Sequence, residues 1–379
     1  MAENTEDAES ARGAHDLAIV GGGPAGLVTA IEARLAGLSV VVLDRGRPPI
    51  DKACGEGLMP DATKRLAALG VAVAGRPFYG IRYLDGKIVA QGLFPGPPGL
   101  GVRRTELHAA LVRRAEELAV DLRWGTAATG LREHGVETAA GLLTARFVVG
   151  ADGLSSRVRR WAGLERTGAG ARHPRRFGVR RHYAIAPWSD FVEVTWGDAA
   201  EAYVTPVAAD EVGVAILWSG EAKGLDDLLP RFPALADRLA GAPRASRDRG
   251  AGPFLQCPRG VVAGRVALVG DAAGYLDAIT GEGLAVAFHE ARALVAAIAA
   301  GRLGAYAAAH RRIGRLPGAV TGLVLALERR PALRRRAIRA LAAEPALFSR
   351  LLGIHGRLLP ARRLGLPGAM RLAWRLVAA

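Results

Sequence analysis

Three short glycine-rich segments bring acidic side chains and freely turning backbone into an order that suits a nucleotide's phosphates and hydroxyls. The first, Gly21-Gly22-Gly23-Pro24-Ala25-Gly26, follows the apolar run 17–20 and precedes the apolar stretch 27–35. This spacing predicts a buried parallel strand, a tight turn and a helix. Gly21 permits the turn, Gly23 lets the main chain approach a pyrophosphate, and Gly26 lets the helix pack closely on the sheet, with Pro24 and Ala25 completing the loop. The pyrophosphate then meets free N–H groups and the positive end of the helix dipole. A second strand over 39–43 ends at Asp44, placed to grip ribose hydroxyls, with Arg45 as a further cofactor contact.

The second segment is Gly150-Ala151-Asp152-Gly153-Leu154-Ser155-Ser156-Arg157. The third is Gly270-Asp271-Ala272-Ala273-Gly274, continued by Thr280-Gly281-Glu282-Gly283. Short apolar strands over 147–150 and 266–270 deliver Asp152 and Asp271 at their ends, where ligands of parallel sheets gather. The first segment alone suits any dinucleotide; all three in this order predict FAD. The apolar run after Gly283 predicts a helix whose N–H groups and dipole stabilise negative charge on reduced flavin. Glycine at 281 and 283 permits close approach of the ring, and Thr280 also reads as a simple helix cap.

These segments resemble those of the FAD-dependent oxidoreductases that include para-hydroxybenzoate hydroxylase, most of all the branch containing geranylgeranyl reductases. The resemblance runs from about His15 to about Leu325. It implies that Asp152-Gly153 lies near FAD and NAD(P)H, that Asp271 holds the ribityl chain, and that Arg104, in Val102-Arg103-Arg104-Thr105-Glu106-Leu107, contacts FAD. Lys52-Ala53-Cys54-Gly55-Glu56-Gly57-Leu58 and residues 280–283 resemble the geranylgeranyl reductase pattern. By that resemblance Cys54 and Glu56 sit on the substrate side of the flavin, Glu56 as acid or base and Cys54 tuning or touching the ring. The residues themselves also allow a tight Gly55/Gly57 loop with Cys54 as a small buried hydrophobe. Tyr203 and Pro206 face substrate or serve as strand packing, and Trp188, Trp196 and Trp218 line an apolar pocket or a core.

The architecture these motifs require is α/β. A Rossmann-like FAD-binding domain is assembled from 14–75, 100–165 and 255–330. An inserted β-rich substrate domain comes from 76–99 and 166–254, and a basic helical C-terminal region from 331–379. A helix is expected over 104–118, with Leu107, Leu111 and Leu118 toward a core. A hairpin is expected around Asp85-Gly86, and strands over 191–196, 201–207 and 212–218. Residues 95–101 and 166–176 read as linkers, and the polar first fourteen residues as a disordered tail.

The 379-residue chain carries a net charge of +15. Residues 302–379 hold sixteen arginines, no lysine and two acids, Glu328 and Glu344, so fourteen of those fifteen charges lie there. No nucleic-acid recognition motif or interleaved aromatic platform accompanies them, which argues against nucleic acid. An anionic membrane face met by an amphipathic helix over 351–377, an acidic carrier protein, or solvated helix faces are the readings that remain. No uncharged apolar run reaches the length of a membrane span. Cys54 and Cys257 are far apart and have no nearby metal-ligand partners, so no metal site is expected and a reducing cytoplasm is the default.

Geranylgeranyl reductases carry tyrosine-x-tryptophan-x-phenylalanine-proline in the substrate sheet; here the corresponding place reads Tyr203-Val204-Thr205-Pro206, without the later aromatics. The tryptophan-x-tryptophan-x-isoleucine-proline run of flavin halogenases is absent. No second Rossmann fingerprint exists for NAD(P)H, as in hydroxylases that bind nicotinamide transiently. The leading expectation is therefore NAD(P)H-dependent hydroxylation of a hydrophobic aromatic or polyketide-like small molecule. Reduction of carbon–carbon double bonds in an isoprenoid lipid is the alternative.

Overall fold

In the computed structural model, residues 15–166, 175–363 and 365 are described. The expected N-terminal tail, most of the 166–176 linker and the end of the basic C-terminal region lie outside them. Runs of β-branched and aliphatic residues with both faces covered form the central parallel sheet. His15–Val20 lies between Val40–Asp44 and the end of Gly141–Gly150, with Ala18 level with Val41 and Val148. Asp121–Trp124 adds to one side and Val266–Leu268 to the other, all parallel. The helices Pro24–Leu35, Arg104–Glu117 and Gly283–Ala299 cover this sheet, burying Leu27, Ile31, Leu107, Leu111, Phe288 and Leu294.

The second layer is a seven-stranded sheet made from two distant stretches of chain. Its order is Arg249–Ala251, Arg176–Tyr183, Val212–Ser219, Ala200–Pro206, Val192–Trp196, Gly80–Asp85 and Ile88–Leu93. All neighbours are antiparallel except one pair, in which Val192 lies level with Ile81. The hairpin expected at Asp85-Gly86 is present, and Gly86 takes φ +61 in its turn.

Two expected linkers behave otherwise. Gly99–Gly101 is the middle strand of a small sheet between Gly57–Leu58 and Arg76–Phe78. It must be glycine-rich, because a Cβ on Gly101 would lie 1.8 Å from the Pro206 carbonyl oxygen. Arg176 is no linker residue but the buried start of a strand. Its guanidinium faces Glu201, Asp277 and Glu328 and so joins the second sheet to the loop before Thr280 and to the helix Ala305–Glu328.

The C-terminal helices Pro331–Ala343 and Pro345–His355 turn their apolar faces inward, burying Ile338, Phe348 and Leu352. Phe348 stacks on Tyr83 at 5.3 Å between ring centroids, an approach that Gly92 allows by having no side chain. A continuous amphipathic helix over 351–377 is therefore not formed in the described part, because the helix ends at His355 and its apolar side already has a partner.

Candidate functional site

The three glycine segments meet where the parallel strands end. A Cβ on Gly21, whose φ is +113, would lie 2.3 Å from the Ala151 carbonyl oxygen. One on Gly26 would lie 1.9 Å from the Gly21 carbonyl oxygen, and one on Gly270 2.8 Å from the Ala25 Cβ. The glycines thus weld first to second segment by backbone contact and first to third against the Ala25 methyl. Arg159, unnoticed in the sequence, reinforces the weld: buried, it donates to the carbonyls of Leu154 and Ala272 and to Gln256. Buried Glu290 accepts the Gly270 N–H at 2.8 Å and fixes the Asp271 turn.

Beyond this junction opens a cavity of about 640 Å³. Gly23, Pro24, Ala25, Arg104, Gly270, Asp271, Gly281 and Gly283 line one end, and Cys54, Glu56 and Tyr203 also line the cavity. The cofactor end has the features that FAD requires. Gly23 and Gly281 face open space, with only the Arg104 guanidinium within 4 Å of a Cβ on Gly23 and nothing near one on Gly281. Buried Arg104 Nη1 has no hydrogen-bond partner among the described residues. Burial lifts the Asp271 carboxyl to about 6, with Lys52 and Arg104 opposing it. Phosphate and ribityl hydroxyl groups are the partners such an orphaned cation and carboxyl need.

Other expected contacts stand elsewhere. Asp44 accepts N–H bonds from Gly22 at 2.8 Å and Gly46 at 2.7 Å, holding the loop from the far side of the turn. Arg45 is exposed and off the cavity wall. Asp152 spends its carboxylate on the N–H groups of Arg157 and Val158 and on the Ser156 hydroxyl, fixing the start of Arg157–Trp161. Its neighbours Ala151, Gly153 and Leu154 line the cavity in its place. Of Trp188, Trp196 and Trp218 only Trp196 lines it, and Pro206 does not.

Glu56 is a structural hub rather than a free acid. Its φ is +60, and its carboxylate accepts the Arg104 N–H at 2.8 Å and meets His182 Nε2 at 2.5 Å, with Arg180 Nε at 3.5 Å. His182 bonds in turn to Ser246 at 2.8 Å. Neither Arg180 nor His182 belongs to a glycine motif, so nothing short-range in the sequence pointed to them. Thr205 donates to the Gly55 carbonyl at 2.8 Å and pins the same loop to the second sheet. Cys54 is held half-buried on the wall; burial, with the Glu56 charge, pushes its thiol up and keeps it protonated. Tyr203 donates to the Ile279 carbonyl at 2.8 Å and so holds the turn before Thr280, its hydroxyl kept protonated by burial.

The far end of the cavity is apolar, built by Phe78, Tyr83, Trp196, Leu217, Ile338 and Phe348.

Residues 14–198 match the FAD binding domain family. Over 310 residues the chain is 26% identical to the menaquinone reductase of Mycobacterium tuberculosis, covering 71% of this chain and 72% of that one. It is 34% identical over 169 residues to the rifampicin monooxygenase of Streptomyces venezuelae, covering 39% of this chain and 34% of that one. A flavoprotein/dehydrogenase of Cytophaga hutchinsonii, 16% identical, superposes with a TM-score of 0.81 over 96% of this chain and 98% of that one, which shows a shared fold.

Proposed function

Because this protein is an FAD-dependent oxidoreductase, we propose that it reduces a carbon–carbon double bond of a lipophilic, isoprenoid-type substrate. The observation that carries this reading is a free thiol, Cys54, on the wall of a cavity whose other lining is largely apolar. Bound FAD supplies the two-electron chemistry. The residues do the rest. Gly281 and Gly283 leave room for the ring, and the N-terminus of Gly283–Ala299 favours negative charge beside it. Aromatic and aliphatic side chains hold the substrate and exclude water. The Cys54 Sγ–H carries a proton for the carbon that becomes electron-rich as the double bond accepts an electron pair. Glu56, tied to Arg104, Arg180 and His182, positions the Cys54 loop.

The sequence ranks hydroxylation first; we rank reduction first because the match to a reductase extends over 71% of the chain, while the match to a monooxygenase extends over 39%. Hydroxylation of a hydrophobic aromatic molecule is the second reading, favoured by the aromatic lining of Phe78, Tyr83, Trp196 and Phe348. NAD(P)H is the proposed electron donor in either case.

The two readings separate without oxygen. The flavin is reduced anaerobically and mixed with a geranylgeranyl lipid in detergent. Reduction predicts reoxidised flavin and a product richer by two hydrogens. Cys54→Ala is then expected to slow this step while leaving reduction of the flavin by NAD(P)H unchanged. Reoxidation only when labelled oxygen enters, with label in the product, overturns the proposal in favour of hydroxylation.

A further inference from the structure

The outer end of the cavity is open, and its rim combines apolar side chains with arginines. Leu316, Leu323 and Leu327 of Ala305–Glu328, Leu351 of Pro345–His355, and Ala361 line this end. Leu323 lines the cavity yet is 61% exposed, so the cavity opens beside it. Leu276, 43% exposed, packs against Gly318 on the same helix and widens the apolar rim. Arg315, Arg350 and Arg362 are exposed, each one residue from a lining residue. Arg312 precedes Leu316 by four residues and Leu323 by eleven, which at 3.6 residues per turn puts all three on one helix face. No side-chain hydrogen bond or ion pair joins Arg312, Arg315, Arg350 or Arg362 to a described residue. Of the two acids in this region, Glu328 is buried against Arg176.

We propose that this rim docks the protein on an anionic lipid surface, so that a lipophilic substrate passes from the bilayer into the cavity without crossing water. Arginine suits that place, because its stem lies along apolar surface while its fork pairs with phosphate. A bilayer fits better than an acidic protein because the rim surrounds an apolar opening, and only a lipid phase both neutralises the arginines and fills the opening with hydrocarbon. The substrate class rests on the function proposed above; the docking does not.

The test uses the full FAD-loaded chain and no substrate. Sedimentation is measured with phosphatidylcholine vesicles and with vesicles containing phosphatidylglycerol. The chain is expected to follow only the anionic vesicles and to be released by salt. Arg312→Glu, Arg315→Glu and Arg362→Glu together are expected to lower partitioning at least tenfold with an unchanged flavin spectrum and melting temperature. Leu323→Gln reports on the apolar part of the rim and is expected to weaken binding at constant charge. If the triple variant fails to fold, the lipid-charge and salt series on the unaltered chain decides. Equal binding to both vesicle types, binding to neither, or retention only by an acidic carrier protein overturns the proposal. Docking by a chain that reduces no isoprenoid would count against the function above and leave the surface standing.

Discussion

The two ends of the cavity are built on different principles. At the cofactor end the contacts are backbone on backbone at 21 and 26 and backbone on the Ala25 methyl at 270, and glycine is required because a Cβ has nowhere to go at any of the three. At the substrate end, side chains from the second sheet and three C-terminal helices meet, and many apolar residues would satisfy the packing. The cofactor end therefore tolerates almost no change, whereas the substrate end can be reshaped without losing the flavin. One scaffold can in this way serve proteins that act on different molecules.

Substitutions at the two ends should break this contrast if it is wrong. The largest effect is expected from Gly26→Val. With its Cβ forced to 1.9 Å from the Gly21 carbonyl, the helix cannot seat on the sheet. Purification should give no folded yellow protein, and a stoichiometric flavoprotein would refute the weld. Gly283→Val is the complementary case. Its Cβ meets only the Tyr275 ring, at 3.5 Å. The variant should keep the circular dichroism and the melting temperature of the flavin-stripped unaltered protein yet fail to retain flavin, since valine intrudes on the cavity and not on the protein.

Phe348→Ala probes the substrate end. Removing a buried ring that stacks on Tyr83 is expected to cost about 3–5 kcal/mol. Flavin should remain bound and bulkier substrates should be accepted; lost flavin would show that the two ends are not separable.

Glu282 and His355 join those ends, and their pairing sharpens the comparison through pH. His355 Nε2 lies 3.5 Å from the Thr280 carbonyl, while Nδ1 lies 3.1 Å from the Glu282 carboxyl. Burial lifts Glu282 from 4.5 to about 8 and lowers His355 from 6.5 to about 4, so both side chains are held uncharged near neutral pH. From pH 4.5 to 8 folded Glu282 holds a proton that the unfolded chain has released, so its contribution to stability falls as pH rises. From pH 4 to 6.5 the unfolded chain binds a proton at His355 that the folded one refuses, so that contribution rises with pH. The slopes oppose one another up to pH 6.5, above which only the fall remains. Glu282→Gln should flatten this decline between pH 6.5 and 8, worth on the order of 2 kcal/mol, in melting curves of the flavin-loaded protein. An unchanged slope would show that the pair does not carry it. The smallest effect is expected from Tyr203→Phe, which removes one hydrogen bond to Ile279, about 1 kcal/mol. Turnover should fall only modestly, whereas near-complete loss would make Tyr203 an acid in the reaction.

Legibility followed the same division. The turn at Gly21–Gly26, the strands that deliver Ala151 and Asp271, and the helix after Gly283 were readable because each depends on a few consecutive residues. Asp152 shows the limit of such reading. Its place in the second segment suggested a cofactor contact, but the N–H groups of the next helix lie nearer and take its carboxylate. Glu56 likewise had the chemistry of an acid or base. Only the arrival of His182 and Arg180 from a strand more than a hundred residues away made it a hub.

What the sequence by itself determined is the cofactor and the fold that holds it, because glycine's freedom of backbone and close approach is a local property, written residue by residue. What only the tertiary structure decided is the far half of the cavity. Its wall joins residues 59, 78, 217, 338 and 348, and its mouth is set by which faces of the C-terminal helices are buried. Phe348 and Leu352 were as available for a lipid surface as Leu323, until packing against Tyr83 and Gly92 buried the first two and left the third at the opening.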